Sequence, residues 1–229
     1  MCGRYASNTP PELMRQAFHT QNALPNLPPR YNIAPTQDIA AVRSNPDGQL
    51  RSLDLLRWGL IPSWAKDPAI GARLINARAE SVADKPAFRD AFRRRRCLIP
   101  ADAFYEWKAG SRPRQPYAIR RRDGGMMAFA GLWENWKSPA GIWQRSCTIV
   151  TTRANALVAP LHDRMPVILD AVDHTLWLGE EAASPDRLQA LLEPCPPDLL
   201  EAFPVGPAVN DVKNDHSGLL QPLASLPQE

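Results

Sequence analysis

The chain has 229 residues, of which 44% are hydrophobic and 22% are charged, values that are ordinary for a globular protein. This length accommodates one large domain or two small ones, and the composition excludes a fibrous or globally disordered protein. No apolar run approaches the roughly 20 residues that a membrane-spanning helix needs, and the first residues lack the apolar core of a secretory signal. We therefore expect a cytoplasmic protein with no membrane segment.

Charge is divided unequally along the chain. Residues 1–164 carry 25 Lys and Arg against 13 Asp and Glu, whereas residues 165–229 carry 2 against 11. Arginine accounts for 22 of the 27 basic residues, and its planar guanidinium matches phosphate and stacks on rings. Tryptophans are interleaved with these arginines, which favours a groove for nucleic acid. The alternative is that the arginines form a solvated surface and the tryptophans belong to the core.

The first half of the chain predicts alternating strands and helices. A strand is expected at CGRYAS (2–7), followed by a helix over about 10–20 that Thr9 and Glu12 begin as a capping box. The segments DIAAVR (38–43) and LRSLDLLRW (50–58) predict two strands joined by a turn at 46–48. The segment 84–96 predicts a helix, since Phe88 and Phe92 lie four residues apart.

The second half is dominated by strand patterns. Five strands are predicted at 97–100, 104–108, 116–121, 126–133 and 144–152, with turns at 110–115, 123–125 and 137–141. PVILD (166–170) predicts a further strand, and short helices are expected at 171–178 and 184–192. Strands that follow strands favour antiparallel pairing. We therefore predict one α+β domain over residues 1–229, with a curved, barrel-like, mainly antiparallel sheet flanked by short helices.

The four cysteines, at positions 2, 97, 147 and 195, lack the spacing of zinc ligands or of a small disulfide framework. We expect no metal site and no cofactor. Cys97, Cys147 and Cys195 are interpreted as small apolar or loop residues.

Cys2 differs because removal of the initiator methionine makes it the first residue. An amino-terminal cysteine carries an amine with an ordinary pKa of about 7.7–8.0 beside a thiol of about 8.5. Such a 1,2-aminothiol reacts with an aldehyde: the amine forms an imine, and the sulfur then closes a five-membered thiazolidine. Ring closure is intramolecular and is therefore favoured by proximity. Gly3 leaves room for a bulky partner.

Three further stretches combine charged residues with apolar sequence. Alternation in INARAE (75–80) predicts that Asn76, Arg78 and Glu80 share one face of an extended segment. In FYEW (104–107) a carboxylate lies between aromatic residues, where burial raises its pKa and suits it to general acid catalysis. LHDRMP (161–166) places His162 beside an acid and an arginine. The alternative for each is a buried polar or ion-paired residue of the framework.

Seven motifs occur in one order: MCGRYA at the amino terminus, RYNIAPTQ (30–37), WGLIPSW (58–64), INARAE (75–80), CLIPADAFYEW (97–107), LHDRMP (161–166) and NDVKN (210–214). In this order they resemble the SOS-response-associated peptidase (SRAP) family of abasic-site processing proteins over about residues 2–222. The resemblance implies a single α+β domain with a barrel-like sheet. It implies covalent capture of the aldehyde of an abasic site in single-stranded DNA as a thiazolidine, and association with the nucleoid when bound.

The resemblance also implies roles for particular residues. Cys2 would be the nucleophile, Asn76 would orient the terminal amine and the sugar, and Glu106 and His162 would be catalytic. The DNA-binding residues implied are Arg4, Trp58, Trp64, Arg78 and Arg164. Strand cleavage by a lyase side reaction and autoproteolytic removal of Met1 are further implications, whereas proteolysis of other proteins has no support. The basic runs at 93–96 and 120–122 match no motif and are interpreted as solvated surface.

Two other functions are compatible with the sequence. Class II glutamine amidotransferases also begin Met-Cys-Gly and use the cysteine on amides, but this chain lacks their His-Arg-Gly and Asn-Gly loops. Release of ammonia from glutamine would identify such an enzyme. A non-enzymatic single-strand-binding module would bind DNA in a salt-sensitive way that Cys2→Ala leaves unchanged.

Overall fold

The computed structural model describes residues 2–45, 50–108, 110 and 114–223. Within these residues the strands are Tyr5–Ser7 (β1), Arg30–Ile33 (β2), Asp38–Ser44 (β3), Arg51–Trp58 (β4), Asn76–Arg78 (β5), Arg96–Ala101 (β6), Ala103–Trp107 (β7), Pro116–Arg121 (β8), Met127–Lys137 (β9), Trp143–Arg153 (β10), Arg164–Pro166 (β11) and Leu200–Pro204 (β12). The α-helices are Pro11–Phe18 (α1), Arg89–Arg94 (α2), His174–Leu178 (α3) and Pro185–Ala190 (α4). Short 3-10 helices connect several of these elements, and no helix of the described chain is long and apolar enough to cross a membrane.

Five strands close into a barrel. The order β10-β4-β3-β6-β9 returns to its start because β9 also pairs with β10. All these pairings are antiparallel except that between β4 and β10, where Cys147 lies opposite Trp58. The second half of β10 extends beyond the barrel and carries β5 on one side and β11 on the other. The predicted α+β fold with a barrel-like, mainly antiparallel sheet and short helices is confirmed.

The two faces of the barrel strands contribute to two separate cores. Alternate residues such as Ala40 and Val42 on β3 pack outward beneath α2 and α3, with Phe92 and Trp177. The intervening residues, among them Ala41, point into the barrel together with Cys97, Cys147 and Phe129. A five-stranded barrel is narrow, so large side chains such as Phe129 alternate in its interior with small ones such as Ala41. At Gly131 an added Cβ would lie 2.8 Å from the sulfur of Cys97.

A second, five-stranded antiparallel sheet, β12-β8-β7-β1-β2, covers one end of the barrel. Its β1 lies between β2 and β7, and Tyr5 makes edge contacts with Trp58 and Phe129 from the barrel interior. This contact places the amino terminus of the chain against the barrel core.

Most predicted strands are present, with shifted ends. β3 covers the predicted segment 38–43 and β4 covers all but the first residue of 50–58, and the turn predicted at 46–48 lies outside the described residues. The predicted turn at 110–115 is described only in part. The strand predicted for PVILD is wrong, because regular pairing ends at Pro166 and only an isolated bridge, from Ile168 to Phe129, continues it. β2 and β12 were not predicted.

The capping box predicted at Thr9 is wrong. The first helical residue is Pro11, and Pro10 occupies the cap position without a side-chain hydrogen bond. Thr9 instead donates its amide and its hydroxyl to the carboxylate of Asp102, which also accepts the amide of Asn8. Thr9 thus binds a distant carboxylate instead of capping its own helix. This contact joins the chain after β1 to Asp102, between β6 and β7.

The helix predicted over 84–96 is shorter, and the arginine run at its end is not solvated surface throughout. α2 covers Arg89–Arg94, and β6 begins at Arg96. The guanidinium of Arg96 is buried and donates to the carbonyls of Phe92 and Arg93, which satisfies the carboxyl end of α2. Arg95 forms an ion pair with Glu134.

The second arginine run, 120–122, is also paired. Arg120 binds Glu201, Arg121 binds Asp123, and Arg122 donates to the carbonyls of residues 198 and 200. These arginines join β8 to β12 and to the following turn.

We predict that Asp102→Ala lowers the free energy of unfolding by roughly 2–4 kcal/mol, because three donors from Asn8 and Thr9 lose a charged acceptor. Urea denaturation measures this loss. Thr9→Ser is the matched control and should stay close to the wild type, since it keeps the hydroxyl that binds Asp102. Equal stability of Asp102→Ala and the wild type would contradict the proposed tie.

Candidate functional site

Cys2 and Glu106 are brought together by the pairing of β1 with β7. Tyr5 lies opposite Phe104, and the amide of Tyr105 donates to the carbonyl of Arg4 at 3.0 Å. Continuing this antiparallel register by two residues places Glu106 beside Gly3. Cys2 is 0% exposed and Glu106 is 3% exposed, so both ionisable groups lie away from water.

Burial dominates the electrostatics of this pair. The pKa of the Cys2 thiol is raised far above its ordinary value, first by burial and second by the negative charge of Glu106. Burial also raises the pKa of Glu106 from 4.5 to about 7, and the positive charge of the amino terminus opposes that rise. Cys2 therefore holds its proton at neutral pH, whereas Glu106 is present in both protonation states and can both accept and donate a proton.

His162 lies on the same side of the site, immediately before β11. Its Nδ1 accepts the backbone amide of Arg164 at 2.9 Å, and Asp163 Oδ1 lies 2.8 Å from the same nitrogen. Burial and the charge of the amino terminus lower the pKa of His162, so the ring is neutral at neutral pH. An amide hydrogen and a carboxylate oxygen therefore both lie within hydrogen-bond distance of Nδ1, and each tautomer of the neutral ring satisfies one of them. The tautomer that accepts the amide of Arg164 carries its proton on Nε2, which makes that nitrogen a donor.

Asn76 begins β5 and pairs with Ile149 of β10. Its side-chain Nδ2 donates to the carbonyl of Ile75, while its Oδ1 is buried and has no hydrogen-bond partner among the described residues. A buried acceptor without a donor is costly and requires an explanation. A group that binds here, such as an amine or a hydroxyl, would satisfy it.

Trp58, which was predicted to contact DNA, supports this strand and has no exposed surface in the structure. Its side chain is 0% exposed, and its indole nitrogen donates to the carbonyl of Ile75 at 2.9 Å. Trp58 therefore positions the residue next to Asn76. Trp64, from the same motif, is 57% exposed and leaves its ring accessible to a base.

Arg164 was predicted to bind phosphate, but it is bound within the protein. Its guanidinium forms a bidentate pair with Glu80 at 2.6 and 2.9 Å and also donates to the carbonyl of Thr151. The side chain is 13% exposed, and its hydrogen bond to Glu80 is the largest cause of a lowered pKa for that carboxyl. Glu80 lies in a short 3-10 helix after β5, not in the extended segment expected from alternation. Arg164 thus fixes β10, β11 and this helix together.

Arg78 and Arg4 differ in how far they are engaged. Arg78 ends β5, its side chain is exposed, and it has no ion pair among the described residues. Arg4 is half-buried and donates to Asn32 Oδ1 at 2.9 Å and to the carbonyl of Val209 at 2.7 Å. Of the two, only Arg78 presents an uncommitted guanidinium to solvent.

Asn32 is a residue of the site framework to which sequence analysis assigned no role. It is 0% exposed and donates to the carbonyls of Val209, Asp211 and Asn214. Asn32 belongs to the motif RYNIAPTQ, and two of the carbonyls that it binds, those of Asp211 and Asn214, belong to the motif NDVKN. The presence of both motifs in one chain was the sequence evidence for this contact. The sequence could not show that the two motifs touch, because about 180 residues separate them.

The model of the family "SOS response associated peptidase (SRAP)" matches residues 1–212 of this chain. The chain belongs to the SRAP family. It is 42% identical over 224 residues to the abasic site processing protein YoqW of Bacillus subtilis, covering 96% of this chain and 99% of that one. It is 31% identical to the abasic site processing protein YedK of Escherichia coli, covering 97% and 100%.

Solved structures share the fold of this SRAP chain. A protein from Bacteroides thetaiotaomicron superposes with a TM-score of 0.88 at 21% identity, covering 97% of this chain and all of that one. A protein from Bordetella bronchiseptica gives 0.75 at 29% identity, covering 90% of this chain and all of that one.

In the described residues no group of His, Cys, Asp and Glu is arranged to hold a metal ion, and all four cysteines are free and buried. The site itself brings together the Cys2 thiol, the Glu106 carboxyl group and the neutral imidazole of His162.

We predict that Glu106→Gln stabilises the protein at alkaline pH. Because the folded pKa of about 7 exceeds the ordinary 4.5, the wild type loses roughly 2–3 kcal/mol of unfolding free energy as pH rises from 4.5 through 7. Residue 106 of the variant carries no charge at any pH, so the variant does not lose this free energy. Denaturation at several pH values should show the two proteins converging below pH 4.5 and the variant gaining above pH 7. A difference independent of pH would contradict the raised pKa.

Proposed function

We propose that this protein captures abasic sites in single-stranded DNA by forming a thiazolidine between the lesion aldehyde and Cys2 after Met1 is removed. The observation that carries the proposal is the coupling of a buried second-residue thiol to a buried carboxyl group whose pKa is about 7. The family membership of the chain and the names of its relatives agree with a substrate that contains an abasic site.

The reaction begins at nitrogen. Removal of Met1 turns the amide nitrogen of Cys2 into a primary amine, which attacks C1′ of the open-chain sugar. Protonated Glu106 supplies the proton that lets the hydroxyl at C1′ leave as water, and an imine remains. Nε2–H of His162 donates to the sugar oxygen and stabilises charge there. Asn76 Oδ1, which has no donor among the described residues, accepts a hydrogen from the amine.

The thiol then closes the ring. A carbon–sulfur bond forms as the sulfur attacks the imine carbon, and the thiol proton passes to the nitrogen. Because burial keeps Cys2 protonated, this step needs a base close to the sulfur, and Glu106 is ionised after its first proton transfer. Ring closure removes the imine, which is the electron sink for strand cleavage. Lyase activity is therefore the side reaction expected when closure fails.

The DNA approaches through groups that the framework leaves uncommitted. Arg78 would contact a phosphate beside the lesion, and the exposed ring of Trp64 would stack on a neighbouring base. Arg164 and Trp58 act indirectly, by holding the strands that carry His162 and Asn76.

The adduct itself is the first test. Mixing the protein with single-stranded DNA that contains one abasic site should give a denaturation-resistant product with the mass of protein without Met1 plus DNA minus one water. Cys2→Ala keeps an amine but no thiol, so it should give only a borohydride-trappable imine and some strand cleavage. Cys97→Ala is the matched control for loss of a buried thiol and should keep the adduct. A stable adduct with Cys2→Ala, or with a residue retained before Cys2, would overturn the mechanism.

Glu106 should control the rate more than the binding of DNA. We predict that Glu106→Gln slows adduct formation by roughly 100-fold at neutral pH while affinity for lesion-free DNA is unchanged. The wild-type rate should decline as pH rises through about 7, where the acid form is lost, and the variant should lack that decline. Quenched time courses across pH measure both effects. Equal rates in the two proteins would return Glu106 to a structural role.

A further inference from the structure

The end of the barrel bounded by Ser44 and Ser52 forms a cavity of about 680 Å³ lined by arginine. The interior face of the strands continues into it, because Arg43 follows Ala41 at two-residue spacing, Trp133 follows Gly131, and Arg145 precedes Cys147. Six arginines line this barrel mouth: Arg43, Arg93, Arg94, Arg95, Arg96 and Arg145. No acidic side chain among the described residues lines it.

Three of these arginines are committed to the protein. Arg43 binds Asp54 at 2.6 Å and lies 4.4 Å above the ring of Trp133. Arg95 pairs with Glu134, and Arg96 donates to backbone carbonyls. Because Arg43 already covers one face of Trp133, the mouth favours charge recognition over stacking on a base.

The other three arginines have no such partner. Arg93 and Arg94 at the end of α2 and Arg145 near the start of β10 are exposed, and their side chains make no hydrogen bond or ion pair among the described residues. These three positive charges come from two separate elements and surround one cavity. They repel one another unless bound anions compensate them. Three guanidinium groups offer paired donors that match the oxygens of phosphate. Several separated cations suit a row of phosphates better than a single carboxylate.

The mouth is separate from the site at Cys2. Arg145 and Ile149, the partner of Asn76, are four residues apart on β10, which corresponds to about 13 Å along the strand. The interior between them is filled by apolar side chains, including Cys147 and Cys97. A nucleotide bound at Cys2 therefore cannot contact the arginines of the barrel mouth at the same time.

We propose that the barrel mouth is a second phosphate-binding site that takes a row of linked phosphates through Arg93, Arg94 and Arg145. Two sources carry this chemistry: the backbone of single-stranded DNA and a free oligophosphate. The site needs neither an abasic lesion nor crosslinking at Cys2, so it stands or falls independently of the covalent reaction.

The test replaces Arg93, Arg94 and Arg145 with glutamine together, and also Arg145 alone. Arg89→Gln is the matched control, because Arg89 is an exposed arginine of the same helix α2 that does not line the mouth. Affinity for lesion-free oligothymidylate is measured by fluorescence anisotropy across a salt series. Binding of inorganic triphosphate is measured by calorimetry. Thermal unfolding and the yield of adduct at saturating abasic DNA report whether each variant is folded and reactive.

If the DNA backbone is the ligand, each lost phosphate contact should weaken binding by about fivefold at roughly 0.1 M salt and lower the salt slope by about 0.7. The triple variant should then lose about two orders of magnitude and Arg145→Gln about fivefold. If a free oligophosphate is the ligand, triphosphate binding should be lost while DNA affinity is unchanged. Either result supports the site. It would be overturned if the triple variant matched the wild type in both arms, or if Arg89→Gln lost as much affinity as Arg145→Gln.

Discussion

The site depends on one constraint: a strand of three residues, β1, must hold the amino terminus against β7 and the end of the barrel. This pairing buries both Cys2 and Glu106, and burial is the first cause of the raised pKa of both groups. Burial in this packing gives a carboxyl group whose pKa is about 7. The carboxylate of Asp102 holds the chain immediately after β1, and Arg4 ties the same terminus to the loop after β12. Much of the second sheet therefore serves to place two side chains.

The unequal charge distribution has a different meaning in the structure than in the sequence. Arginine dominates the first two-thirds of the chain, but many of its guanidinium groups join framework elements. Arg51 binds Glu180 across the fold, and Arg164 closes β10, β11 and the segment after β5. Among the described residues, Arg78 and the arginines Arg93, Arg94 and Arg145 of the barrel mouth are exposed and have no ion pair. Net charge thus indicates the class of partner, while ion pairing decides where the partner can bind.

Sequence patterns predicted the parts of the fold that rest on local alternation and the site residues that rest on chemistry. β3 and β4 were predicted because their turn and apolar residues lie within one window, and Cys2 and Glu106 because their surroundings are visible in MCGR and FYEW. Two of the failures involve distant partners. Thr9 is occupied by Asp102 rather than by its own helix, and β12 forms only because β8 lies beside it.

Two residues that the motifs predict as DNA contacts, Trp58 and Arg164, are engaged within the protein, and the sequence could not show this engagement. A tryptophan in a motif suggests stacking and an arginine in a motif suggests phosphate, but burial of Trp58 and the Glu80 pair of Arg164 are invisible without the third dimension. Both residues still serve the site, because Trp58 holds the carbonyl before Asn76 and Arg164 donates its amide to His162. Motif membership therefore reports a requirement of the site as a whole. A side chain that fixes the position of an acceptor or an imidazole is as necessary to that geometry as one that contacts the substrate.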